Sequence, residues 1–139
     1  MSAVPVALAV AVGVLAVVFR EQYHAMAERH YLLFHSLAEM TSIAIGVSLF
    51  LVFWNAREFL RNNYLLVVGI AYLFVAALDL LHTLAYSGMG VFHTAGSNLA
   101  TQLWIIARGL EAVSLVAAPL LLGRRLRAGA LLTVYALVT

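Results

Sequence analysis

The chain has 139 residues, 65% of them hydrophobic and 10% charged, with a formal charge of +2 and a mean hydropathy of +1.02. Soluble domains carry charge on about a quarter of their residues, so this composition is that of an integral-membrane protein. The eight basic residues are all Arg and are scattered, which excludes a nucleic-acid surface; the absence of Cys excludes disulfides, thiolate metal sites and Cys nucleophiles.

A bilayer core of about 30 Å takes roughly 20 apolar residues at about 1.5 Å each. Four segments qualify, at about 2–19, 31–54, 64–86 and 101–123. The first is followed by Ala25-Met26-Ala27, which resembles a signal-peptidase site, but no Lys or Arg precedes the apolar stretch, so it is read as a retained span. Between the spans lie REQYHAMAERH (20–30), NAREFLRNN (55–63) and SGMGVFHTAGSNLA (87–100), read as loops from their polar and turn-forming residues. After RRLR (124–127) a fifth apolar segment, 128–139, stops after about 12 residues. Nothing in it is amphipathic, so it reads as a truncated span rather than an interfacial helix. The expected fold is therefore all-α: one integral-membrane helical bundle over 1–139, with four full transmembrane helices plus a truncated fifth.

Orientation follows from the Arg residues beside the spans. Arg57, Arg61, Arg124, Arg125 and Arg127 fall on one side, and only Arg20 and Arg29 on the other. The positive-inside rule makes the five-Arg face cytoplasmic, with the N-terminus inside and 20–30 and 87–100 outside.

The spans are apolar, yet each of three carries ionisable residues on one stripe. The 31–54 span has His35 and Glu39 four apart, with Ser42 and Gly46 continuing the stripe. The 64–86 span has Asp79 and His82 three apart, with Tyr72 and Tyr86 one to two turns away. The 101–123 span has Trp104, Arg108 and Glu111, spaced four and three. Counting about 1.5 Å per residue from the outer boundary puts His35 and His82 roughly 6 Å deep, Asp79 and Arg108 about 10 Å, Glu39 about 12 Å and Glu111 about 15 Å. A charge at mid-membrane costs at least about 2.5–3.5 kcal/mol on insertion scales, so these groups are expected to face one another. Arg108 is expected to pair with Glu39, Asp79 or Glu111, while His35 and His82 take hydrogen bonds or a ligand.

Plainer readings stand beside this one. Arg108 with one acid makes a clasp that fixes helix register, and Asp79 with His82 makes a self-satisfied couple. A clasp needs only two groups, however, and six at one level point to a pocket. His35, Glu39 and His82 form a donor set suited to zinc or non-haem iron, although Arg108 nearby opposes a cation. Haem between His35 and His82 is a further alternative at this stage. His24, His30 and His93 fall in the outer loops as surface histidines, Tyr31, Trp54, Tyr86 and Trp104 sit at interface depth, and Trp104 could also wall the pocket. Gly46, Gly69 and Gly109 are expected to permit close helix approach.

The stretches FHSLAEMTSIAIGVSLFLVF, NNYLLVVGIAYLFVAALDLLHTLAYSGMGVF and GSNLATQLWIIARGLEAVSLVAAPLLL resemble the membrane-associated sensor domain of the third type, a bacterial integral-membrane input module. The resemblance runs over about 31–123 and rests on His35 with Glu39, on Asp79-Leu80-Leu81-His82-Thr83-Leu84-Ala85-Tyr86, and on Trp104 with Arg108 and Glu111. It implies a signal-receiving role at the N-terminus of histidine kinases and diguanylate cyclases, in the bacterial inner membrane, with a cytoplasmic output domain outside this chain and with more membrane helices than the chain contains.

The function expected is thus a sensor whose outer-leaflet pocket binds a small ligand or responds to protons or redox state. Its ligand-binding residues are His35, Glu39, Asp79, His82, Trp104, Arg108 and Glu111; Arg108 is the expected anion anchor, and the histidines the proton- or metal-responsive part. The partners expected are the lipid bilayer, a small ligand and the output domain; the reading also admits a homodimer. The rivals are an intramembrane metal-dependent hydrolase using His35, His82 and a carboxylate, and a small transporter, against which stands the lack of a matching polar set in the cytoplasmic half.

Overall fold

The computed structural model describes residues 11–139 except 12, 16, 61, 88, 93–95, 123 and 125. Most of the expected first span lies outside the described residues. The helices that follow are α1 (Arg20–Leu60), α2 (Asn63–Ala85), α3 (Gly96–Leu120) and α4 (Ala128–Val138), with no strand among the described residues. Three stretches, His30–Phe59, Asn63–Ala85 and Asn98–Leu120, are long and apolar enough to cross a membrane. The expected all-α membrane bundle is the fold found, with the last helix shorter than a full span.

The polar segment 20–30, expected as a loop, is helical. No Gly or Pro occurs between Gly13 and Gly46, and Glu21, Ala25, Met26, Ala27, Glu28 and Arg29 are good helix formers; polarity alone does not stop a helix. The chain bends instead of breaking, at His30, whose φ of −126° and ψ of 18° leave the helical region. Likewise 55–63 is not all loop: α1 runs on to Leu60, and Arg57 covers the Trp54 ring at 4.3 Å while donating to the Trp54 carbonyl. Asn62 caps α2 by accepting from the Tyr64 N–H at 3.0 Å. The 87–100 loop also shortens, since α3 begins at Gly96. Gly90 lies in it at φ +71°, a conformation that suits glycine.

The chain divides into two compact units, Met1–His35 and Ser36–Thr139. Within the first, Tyr31 and His35 stack with ring centroids 5.6 Å apart, as the spacing of four on one helix allows. Everything below concerns the second.

In that unit α2 is the central helix. Val67, Ile70, Ala71, Val75, Ala76 and Leu78 are all buried, whereas Leu51 and Val52 on α1 and Ile105, Ile106 and Val116 on α3 are half or more exposed. Apolar surface on that scale is what lipid covers. Small residues bring the helices together. A Cβ on Gly69 would stand 2.9 Å from Phe53 Cβ, and one on Gly46 would stand 3.3 Å from both Ala76 Cβ and the Tyr72 carbonyl oxygen, so α1 and α2 meet where side chains vanish. Gly109, expected to do the same, has open space around its Cβ position; its close-approach role is not what the packing shows.

On another side α2 packs on α3, with Val75 and Leu78 against Ala107, and Val67 and Val68 against Ala118. The base of this contact is polar: just beyond the end of α3, Asn63 Nδ2 donates to the carbonyls of Arg124 and of Leu121, the latter also accepting from the Arg124 N–H. α4 completes the unit through Tyr135, which packs on Leu66, Ile70 and Ala71, lies 5.7 Å from the Phe74 ring and donates its hydroxyl to Ser114 Oγ at 2.7 Å.

Gly69→Ala is expected to lower thermal stability by about 1–3 kcal/mol, the usual cost of overpacking a tight contact. Gly109→Ala is expected to be neutral or to stabilise by up to about 1 kcal/mol through helix propensity. Thermal unfolding of both variants in one detergent checks the pair, and equal effects would contradict the packing described.

Candidate functional site

Three helices of the second unit converge on one polar cluster. On α3, Arg108 and Glu111 are three apart and pair directly, Arg108 NH1 lying 2.8 Å from Glu111 Oε2. Arg108 NH2 reaches across to α2 and meets Asp79 Oδ2 at 2.5 Å. The other oxygen of Glu111, Oε1, accepts from the Tyr72 hydroxyl at 2.7 Å. Tyr72 and Asp79 are seven residues apart, two turns on one face of α2, so the guanidinium is fixed by two acids and one of those acids is fixed in turn by Tyr72.

Asp79 is 5% exposed and Arg108 keeps about a third of its side chain exposed, at 37%. The pair is one bond short of a two-bond fork: Asp79 Oδ1 and Arg108 Nε are buried and carry no hydrogen bond. Beside them lies a cavity of about 150 Å³, bounded by Ser42, Ile45 and Gly46 of α1, Tyr72, Val75, Ala76 and Asp79 of α2, and Arg108 and Glu111 of α3. Gly46 and Ala76 are part of its lining, where α1 and α2 approach closely.

A second polar group lies where α2 faces the start of α3. His82 Nδ1 is 2.7 Å from the Ala100 carbonyl oxygen, which can only accept, so Nδ1 carries the proton of this bond. The ring's Nε2 then points at Glu39 Oε1, 3.9 Å away and too far for a direct hydrogen bond. Thr83 Oγ1 donates to the Asp79 carbonyl at 2.7 Å, and Ser36 Oγ donates to Met89 Sδ at 3.8 Å, tying α1 to the turn after α2.

Of the expected pairings, Arg108 takes Asp79 and Glu111 together and leaves Glu39 to His82. Asp79 and His82 do not form a couple, because Asp79 turns to α3 and His82 to Ala100. Trp104 is 47% exposed and lies outside the cavity lining. Of the metal set, Glu39 and His82 adjoin in the second unit, and His35 closes the first. Tyr72, which the helical spacing already puts on the stripe of Asp79 but which is not among the expected ligand-binding residues, joins the cluster through Glu111.

Replacing Arg108 by Met leaves two acids facing each other in an apolar setting. Loss of one partner of a buried ion pair costs about 3–5 kcal/mol, and the partial exposure of Arg108 places this variant near the lower end. The triple change Arg108→Met, Asp79→Asn, Glu111→Gln removes the charges together and is expected to regain most of that loss. Denaturant unfolding of both variants and of the parent provides the check.

Residues 26–139 match MASE3, a family described as a membrane-associated sensor domain. No curated protein and no solved structure matches the chain. The matched stretch includes α2, α3, α4 and every residue of the polar cluster just described, and it agrees with the resemblance carried by His35, Glu39, the Asp79–Tyr86 run, Arg108 and Glu111. The chain belongs to the MASE3 family of membrane-associated sensor domains.

Proposed function

We propose that this sensor domain receives its signal at the cavity between α1, α2 and α3, and that occupancy of the cavity changes how Arg108 divides itself between Asp79 and Glu111. The observation that carries the reading is that the ion pairs of Arg108 with Asp79 and Glu111 line open space between three helices. A ligand that competes for the guanidinium or for one of the carboxylates redistributes those pairs, and helices displaced as rigid bodies carry the change along their length.

In this reading the signal passes to a histidine kinase or diguanylate cyclase output domain on the cytoplasmic side, in a bacterial inner membrane. The cavity lies toward the outer face, as the Arg-rich flanks of α1 and α3 imply. A transporter is the weaker alternative, since the ionisable groups within the spans gather in the outer half rather than along a route.

Joining the chain through Thr139 to a diguanylate cyclase reporter tests the role. Asp79→Asn and Arg108→Met are expected to move reporter output by about fivefold or more, the lower range of allosteric coupling, while Gly109→Ala leaves it unchanged. Unchanged output from site variants that still insert in the membrane would refute the reading. Alkaline phosphatase fused at residue 90 is expected to be active and at residue 62 inactive, and the reverse pattern would invert the topology.

A further inference from the structure

We infer that the groove between α3 and α4 holds one acyl chain of an anionic phospholipid whose headgroup is bound by Arg124 and Arg127. The groove shares no lining residue with the cavity beside Arg108, and the inference stands whatever that cavity receives.

The walls favour hydrocarbon. The groove has a volume of about 280 Å³, nearly twice the roughly 150 Å³ of an apolar cavity known to admit benzene. Among the described residues, Ser114 and Tyr135 supply the only polar side chains of its lining. Both hydroxyl protons are committed, that of Tyr135 to Ser114 Oγ at 2.7 Å and that of Ser114 to the Leu110 carbonyl at 2.6 Å, and the rest of the lining is aliphatic. Val113, Val134 and Val138 form lips that are more than half exposed, so a chain enters sideways from the bilayer. Leu110 and Leu121 both line the groove and are eleven residues apart, so it runs for about 16 Å along α3 at about 1.5 Å per residue. Half of a hydrocarbon core of about 30 Å is about 15 Å, which makes the groove one leaflet deep.

The turn that joins the two helices supplies the charge. Arg124, Arg125 and Arg127 fall within four residues of sequence. The Arg124 N–H donates to the Leu121 carbonyl and the Leu131 N–H to the Arg127 carbonyl, each at 3.1 Å, so Arg124 and Arg127 both stand one turn from a groove residue. Both are exposed. The acids of this unit lie elsewhere: Glu58 meets Arg57, Asp79 and Glu111 meet Arg108, and Glu39 stands by His82. Among the described residues, then, no carboxylate answers Arg124 or Arg127. A phosphate does, because guanidinium and phosphate join through paired N–H···O bonds, and clustered Arg at a membrane boundary attract headgroups of net negative charge. With the phosphate at these two residues and one chain between Leu121 and Leu131, a single lipid molecule meets both the charge and the groove.

Native mass spectrometry of the full chain, freed of lipid in detergent and titrated with dioleoylphosphatidylglycerol or dioleoylphosphatidylcholine, tests the assignment, since the two lipids share their chains and differ in charge. One phosphatidylglycerol per chain is expected to bind at least about tenfold more tightly than phosphatidylcholine. Arg124→Gln combined with Arg127→Gln is expected to bring the two lipids level. Val134→Trp, which fills the groove from its exposed lip and leaves the arginines in place, is expected to weaken both lipids by about tenfold, with helix content and thermal unfolding those of the parent. Equal binding of the two lipids by the parent would overturn the inference, leaving a groove filled without regard to charge. A preference that survives the paired Arg change would overturn it too, and so would phosphatidylglycerol binding untouched by Val134→Trp, which would detach the arginines from the groove. A lipid-free dimer as the sole species would overturn it in favour of a second copy of the chain as the occupant.

Discussion

A guanidinium inside an apolar bundle must be matched, and the arrangement of the second unit follows from that requirement. Arg108 cannot face lipid without a cost of at least about 2.5–3.5 kcal/mol on insertion scales, and the same holds for Asp79 and Glu111. Asp79 sits on the neighbouring helix, so satisfying Arg108 sets the register of α3 against α2 to within the reach of one side chain. Small and branched apolar residues then fit around that register. Ala107 packs between Val75 and Leu78 within a turn of Arg108, and Ala118 meets Val67 and Val68 three turns further on. Polar pairing chooses the alignment and dispersion fills it, an order that suits a membrane, where the hydrophobic effect no longer distinguishes helix from lipid.

Small residues set the other helix contact. Gly46 and Ala76 let α1 approach α2 closely beside the cavity, and a larger residue at Gly46 would press on Ala76 and the Tyr72 carbonyl and push α1 away. The stripe of Glu39, Ser42 and Gly46 puts that contact on the face of α1 turned to the ion pairs.

Much of this was legible in the residues. Helical spacing placed Asp79, Arg108 and Glu111 at a common depth, and the cost of burying charge then required them to meet; the salt bridges bear this out. Two things were not legible. Helix ends at 20–30 and 55–60 were hidden because polar residues with good helix propensity look like loops when only hydropathy is weighed. The division of partners was hidden because Arg108 lay at similar depth to three acids, and only the rotation of each helix about its axis decides which it reaches. Gly109 shows the same limit: one residue beyond Arg108, it is turned away by about 100° of helical rotation and meets nothing.

The polar cluster does not end at the cavity. Ser114 follows Glu111 by three residues, on the same face of α3 and one turn nearer the Arg-rich end; it donates to the Leu110 carbonyl at 2.6 Å and accepts from the Tyr135 hydroxyl at 2.7 Å. Glu111 is thereby connected through a single turn of helix to α4, whose Tyr135 is buried against α2 as well. An α-helical turn with its hydrogen bonds intact is stiff over this distance, so α3 cannot move Glu111 relative to Tyr72 without carrying Ser114 against Tyr135. The end of α3 is held in turn by Asn63 at the start of α2, through the Leu121 and Arg124 carbonyls. With α3 held to α2 at Arg108 and again beyond Leu120, sliding of one helix along the other strains both attachments together.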